Sequence, residues 1–126
     1  MAGDIFFGFD SSIVNGDPHN DGYVNNRTFD SFGDLLDKAL SSDFPAQLEI
    51  IKEAQYLRMF QFTSLSEIDY NLVIRAMRRC VDELEKKDVP MPLKAGVWVW
   101  HEMAEPFIRK DERYDFEFHG EAKPSS

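Results

Sequence analysis

Apolar positions recur at helical spacing in three stretches of this chain and alternate with polar ones in one short segment near Phe116. Behind Thr28, a side chain suited to an N-cap, Phe29, Phe32, Leu35, Leu36, Ala39 and Leu40 share one face and predict a first helix. Pro45 suits a first helical turn, and Leu48, Ile51, Ala54, Gln55 and Leu57 carry a second helical pattern towards Phe60. Ser64 and Glu67 have the spacing of a capping box. The third helix that follows takes Leu65, Ile68, Leu72, Ala76, Cys80, Val81 and Leu84 as its apolar face and stops at Pro90 and Pro92.

The stretch from Val97 to Ile108 supports two readings. Val97-Trp98-Val99-Trp100 looks like a strand, yet Val97, Trp100, His101, Ala104 and Ile108 also fit one helical face. The helix reading is taken, with Pro92 at its start and Pro106 disturbing or ending it.

Ile5-Phe6-Phe7-Gly8-Phe9 reads as a strand running into a long loop over Asp10 to Asn26. Tyr114, Phe116 and Phe118 alternate with Asp115 and Glu117, the mark of a half-buried strand. Pairing of these two terminal strands against the helices gives the expected class: α+β, mainly α, with about four helices and a small sheet, and all-α as the alternative. Residues 1–119 form one domain in this reading, and 120–126, with Pro124, Ser125 and Ser126, a loose tail.

Composition agrees with a folded domain: at 126 residues the chain supports one core, and 11 Phe in a sequence 43% hydrophobic exclude a disordered composition. A lone Cys80 permits no internal disulfide and sits on a helical face as an inert thiol. No apolar run approaches the ~18 residues of a membrane helix, and Asp4 stands where a secretory signal carries positive charge, so the expected compartment is the cytoplasm.

Charge changes the picture more. The formal net charge of −9 has the wrong sign for non-specific binding to nucleic acid or anionic lipid. It is also uneven: residues 1–50 hold nine acids and two bases, residues 51–110 nine and ten, and residues 111–126 five and two. Two segments therefore carry the excess, and they supply the expected partner-binding surface: Asp10, Asp17, Asp21, Asp30, Asp34, Asp37, Asp111, Asp115 and Glu117.

Other chemistry is thin. Asp17-Pro18-His19-Asn20-Asp21-Gly22 has the outline of a calcium loop, but Thr28 stands where a bidentate Glu is needed, and a turn-rich surface loop is the preferred reading. His101-Glu102-Met103-Ala104-Glu105 begins like a zinc-protease helix and lacks the second His. Phosphate loops, paired cysteines and a nucleophile elbow are missing, so no catalytic residue, cofactor or metal is expected. Arg75, Arg78 and Arg79 are read as a solvated face, partnered along their own helix by Glu67, Asp69, Asp82 and Glu83.

With its acidic ends and motif-poor single domain, the chain resembles bacterial toxin-immunity proteins of the contact-dependent growth inhibition kind, especially in Thr28 to Leu40 and Val97 to Phe118. The resemblance implies a cytosolic protein that binds the nuclease-like toxin domain of its own system and blocks it. It transfers no binding residue. A small adaptor or regulatory module, and a small enzyme or metal protein whose site assembles only on folding, are the other classes to be weighed.

Overall fold

A computed structural model describes residues 2–7 and 21–122. The elements are β1 (Ala2–Phe6), β2 (Asp21–Asn25), α1 (Asn26–Leu40), α2 (Pro45–Lys52), a 3-10 turn (Gln55–Leu57), β3 (Met59–Gln61), α3 (Glu67–Lys87), α4 (Met91–Val99), a π turn (Trp100–Ala104) and α5 (Glu105–Ile108). The last three run on as one bent helical body. With α1, α2 and α3 it makes four helical bodies over a small mixed sheet, the α+β, mainly α class read from the sequence.

The sheet has the order β2-β1-β3, with β1 antiparallel to β2 and parallel to β3. Along β1 the side chains alternate, so Ile5 and the following Phe7 are buried while Asp4 and Phe6 are only partly covered. Behind this face lies a phenylalanine cluster. Phe29 of α1 stacks on Phe60 of β3 at 4.2 Å between centroids, and Phe7 meets Phe32 edge-on at 5.9 Å. The rings come so close that a Cβ on Gly3 would lie 2.3 Å from the Phe29 ring.

Helix α1 is the central element, touching the sheet on one side and α2, α3 and α4 elsewhere. Where it crosses α4, the Ser31 hydroxyl donates to the Pro92 carbonyl at 2.6 Å and accepts from the Gly96 N–H at 2.8 Å. A Cβ on Gly96 would sit 2.7 Å from the Ser31 carbonyl oxygen, so only glycine lets the two backbones approach this far.

Several local expectations are corrected. The terminal strands do not pair, because both edges of β1 are taken by β2 and β3, and residues 114–118 are not a strand but lead into a turn over 116–120. Asp115 caps this turn, its Oδ1 accepting from the Phe118 N–H, and the alternating Tyr114 and Phe116 rings pack on each other at 4.8 Å. The sequence pattern places β2 in a loop and β3 at a helix end. β3 is only three residues long, too short for alternation to register, and it is reached through Arg58 at a left-handed φ of 61°. The N-caps are Asn25 and Ser66, which accept from the N–H groups of Thr28 and Asp69, rather than Thr28 and Ser64.

Helix α3 departs from the expected face in its first half and keeps it at Cys80, Val81 and Leu84. It buries Tyr70, Val73, Ile74, Met77, Cys80, Val81 and Leu84, while Ile68 is 74% exposed and Leu72 half-buried. Over the first three turns the buried positions are displaced from Ile68, Leu72 and Ala76 to Tyr70, Val73, Ile74 and Met77, which places the larger Tyr70 and Met77 inside. The Val97 to Ile108 stretch is helical, with Pro92 and Pro106 at the first turns of α4 and α5. No helix among the described residues is long and apolar enough to cross a membrane.

Candidate functional site

Residues 109–122 have no regular secondary structure and are fixed onto α3 by side-chain bonds. Arg113 makes a bidentate pair with Asp111 at 2.9 and 2.8 Å and donates twice more, to the Phe62 and Leu65 carbonyls at 2.9 and 2.7 Å. Its guanidinium lies 4.0 Å from the Tyr70 ring centre. Burial, and next to it the charge of Asp111, pushes the Tyr70 hydroxyl well above its ordinary value, so it stays protonated and donates to the Ile108 carbonyl. The buried Asn71 amide donates to the Glu67 and Arg113 carbonyls, and its oxygen accepts from the Asp115 N–H.

A second anchor lies further along α3. Arg78 grips Glu105 with two bonds of 3.0 and 2.9 Å and donates to the Tyr114 hydroxyl at 2.7 Å. The π turn brings the Trp100 indole N–H to the same Glu105 carboxylate at 2.9 Å. Arg109 pairs with Glu121 at 3.2 and 2.9 Å, and Tyr114 donates to Glu121 at 2.5 Å. The Arg109 bond is the first cause that holds the Glu121 carboxyl down at about 2. Glu121, expected in the loose tail, is thus pinned to the body.

These anchors leave a groove of about 600 Å³ lined by Glu67, Asp111, Glu112, Tyr114, Asp115, Phe116, Glu117 and Glu121. Asp111 and Glu121 are neutralised by Arg113 and Arg109. Glu67, Glu112, Asp115 and Glu117 form no ion pair among the described residues, and all four are exposed. Six carboxylates therefore line one groove, and Arg113 and Arg109 are engaged by two of them.

The expected partner-binding residues divide. Asp115 and Glu117 line this groove. Asp111 does not belong to an exposed surface: its side chain is 2% exposed and serves to hold Arg113. Asp30 and Asp34 line a different groove, between α1 and α4, together with Arg27, Met91 and Lys94. There Asp30 pairs with Arg58 at 3.2 Å, and Asp37, on the same helix, pairs with Lys52 at 2.6 Å. Asp21 starts β2, and Asp10 and Asp17 lie outside the described residues, as does most of the Asp17 to Gly22 loop.

Sequence reading missed Glu112, Glu121 and Glu67. The acid density of residues 111–121 was the available signal for the first two. Glu67 had been assigned to a capping box, and only the wrapping of the C-terminal segment brings it in. The arginine cluster is corrected too, because Arg78 reaches across to Glu105 and Arg75 lies 4.6 Å from the Phe118 ring centre rather than pairing along α3. His101 contacts Glu85 at 3.0 Å while Glu105 is engaged by Arg78. Among the described residues no group of three or more His, Cys, Asp or Glu is placed to hold a metal ion. Comparison with protein-family profiles, curated proteins and solved structures finds no match to this chain.

Proposed function

We propose that this protein is an immunity-type inhibitor that binds a basic, nuclease-like toxin domain in the cytoplasm through the groove of residues 111–121. The observation that carries this reading is the division of charge there. Arg78 and Arg113 turn inward to Glu105 and Asp111 and Arg109 is engaged by Glu121, while Glu67, Glu112, Asp115 and Glu117 face solvent without a counter-ion among the described residues. A nuclease holds phosphates with lysine and arginine, so a concave surface of fixed carboxylates matches its substrate-binding face and competes with the nucleic acid. Attraction between the two fields steers the encounter, with association approaching roughly 10⁸ M⁻¹s⁻¹ at low salt.

Affinity capture with the full chain from its native cell tests this. The expected result is a basic protein whose nuclease activity disappears when the chain is added back, and whose capture weakens as salt is raised. Capture of no dedicated partner, or of one whose binding ignores salt, overturns the proposal.

A further inference from the structure

Next to the acidic groove, α3 turns an apolar stripe outward. Ile68, Leu72 and Arg75 follow one another at four- and three-residue spacing, so they line one side of the helix over about 10 Å. Ile68 is 74% exposed and Leu72 half-buried. Phe118 joins this stripe from the C-terminal segment, 37% exposed and laid against Arg75 at 4.6 Å. The segment's own bonds set that position, through Asp115 Oδ1 to the Phe118 N–H and the Phe118 contact with His119 at 4.9 Å. Nothing in the core requires Ile68 there. A large aliphatic side chain facing water on a helix whose other side is fully packed is a local inconsistency of the kind that marks binding surfaces.

The flanking charge selects the occupant. Glu67 is the neighbour of Ile68 in the chain, Glu117 that of Phe118, and both line the groove with Asp115 and Glu112, so four carboxylates without an ion pair among the described residues border the stripe at its N-terminal end, while Arg75, which faces an aromatic ring, and Arg79 lie at its other end. The exposed Met91 of α4 has no such bias: the groove that holds it balances Arg27 and Lys94 against Asp30 and Asp34.

We infer that Ile68, Leu72 and Phe118 form the apolar anchor of a docking surface for a lysine- or arginine-rich amphipathic helix of a protein partner. The apolar face of that helix covers the stripe, and its cations reach Glu67, Asp115 and Glu117. Two turns of exposed stripe match the spacing of anchors that a docked helix presents. The inference rests on the reading of a basic partner above and names how that partner is held.

The test uses the full isotope-labelled chain and a synthetic helix of lysine and leucine, about five turns long, with two controls: the same composition in scrambled order, and a glutamate and leucine helix. The expected result is that amide shifts on titration centre on Ile68, Leu72 and Phe118, that the scrambled peptide binds about tenfold more weakly, and that the acidic helix does not bind. Ile68→Gln and Phe118→Ala each weaken binding about tenfold through faster dissociation, while Asp115→Asn with Glu117→Gln slows association. Since Ile68 is exposed, its variant keeps the fold, and far-ultraviolet circular dichroism checks this.

Shifts centred on Met91 and Trp98, equal binding of the scrambled peptide, or an unchanged dissociation rate in Ile68→Gln overturn the inference. If the peptide binds as expected and cell capture yields no toxin domain, the docking surface stands and the immunity reading falls. If a captured toxin domain is insensitive to Ile68→Gln and sensitive to Asp115→Asn, the immunity reading stands and this anchor falls.

Discussion

Two regions of this molecule hold more acids than bases and have opposite electrostatic fates. On α1, Asp30, Asp34 and Asp37 follow one another at four- and three-residue spacing, and Arg58 and Lys52 come from the α2 to β3 stretch to pair with the first and last. Near the C-terminal end Arg113 and Arg109 instead take the less exposed acids, Asp111 and Glu121, so Glu112, Asp115 and Glu117 are left without an ion pair among the described residues. Counting acids against bases along the chain gives both regions an excess. Folding cancels much of it in one and concentrates it in the other.

The largest expected effect tests the buried half of that arrangement. Replacing Arg113 with Met removes the guanidinium from Asp111 and also strips donors from the Phe62 and Leu65 carbonyls. Breaking one side of a buried pair costs about 3–5 kcal/mol, and equilibrium urea unfolding measures it. Replacing Asp111 and Arg113 together with Leu and Met is expected to recover part of the loss, because no buried charge is then left behind. A cost for Arg113→Met below about 1 kcal/mol would mean that the C-terminal segment is not anchored as described.

Next in size is the support of α1. Gly96→Ala places a methyl 2.7 Å from the Ser31 carbonyl oxygen, a backbone atom that moves only with the helix. Overpacking of this kind costs about 1–3 kcal/mol and is expected to lower the melting temperature. It leaves the groove of residues 111–121 untouched. An amide spectrum in which α1 and α4 shift while Asp115 and Glu117 do not is the outcome that agrees with two separate regions.

Acid sensitivity distinguishes the regions by a smaller effect. In the folded chain the Glu121 carboxyl is lowered from 4.5 to about 2, first by the Arg109 bond. A group depressed on folding contributes stability above its unfolded pKa and loses it as pH falls, here from about 4.5 down towards 2. Because Arg109 and Glu121 both keep contact with water, the contribution is on the order of 1 kcal/mol. Glu121→Gln is expected to flatten the stability curve between these pH values, read by denaturant midpoint at each pH.

How far this was legible in the sequence depends on the range of the forces involved. The helices of α1, α2 and α3 follow from apolar periodicity and from Pro45, Pro90 and Pro92, which act within a few residues. The helical choice for Val97 to Ile108 also held, since two prolines bounded it. The sheet did not follow. Its partners are β2 and a three-residue β3, and pairing of Tyr114 to Phe118 with β1 was excluded by edges already occupied. The alternation there reports ring packing and an Asx turn rather than a strand. Likewise, acid density pointed to Asp115 and Glu117, but which acids are cancelled depends on Arg58, Lys52, Arg109 and Arg113 arriving from elsewhere in the fold.

The smallest effect on stability comes from neutralising the exposed acids, and it is the most direct comparison of the two regions. Asp30→Asn, Asp34→Asn and Asp37→Asn combined remove two partly exposed ion pairs and one charge without an ion pair among the described residues, for a total of about 1 kcal/mol. Glu112→Gln, Asp115→Asn and Glu117→Gln combined remove no ion pair among the described residues and are expected to leave stability unchanged within a similar margin. The triples differ in binding. Removing the α1 acids also frees Arg58 and Lys52, whose positive field repels a basic partner only locally. Removing the groove acids abolishes the field that steers it. Association of the lysine and leucine helix is therefore expected to slow about tenfold in the groove triple and about twofold in the α1 triple at low salt. The difference between them should shrink as ionic strength rises from about 0.01 to 0.15 M and the Debye length contracts from roughly 30 to 8 Å. Stopped-flow rates for the two triples across that range decide the matter. Equal slowing would mean that net charge alone governs the encounter, and the internal pairing of the α1 acids would then have no bearing on where a partner binds.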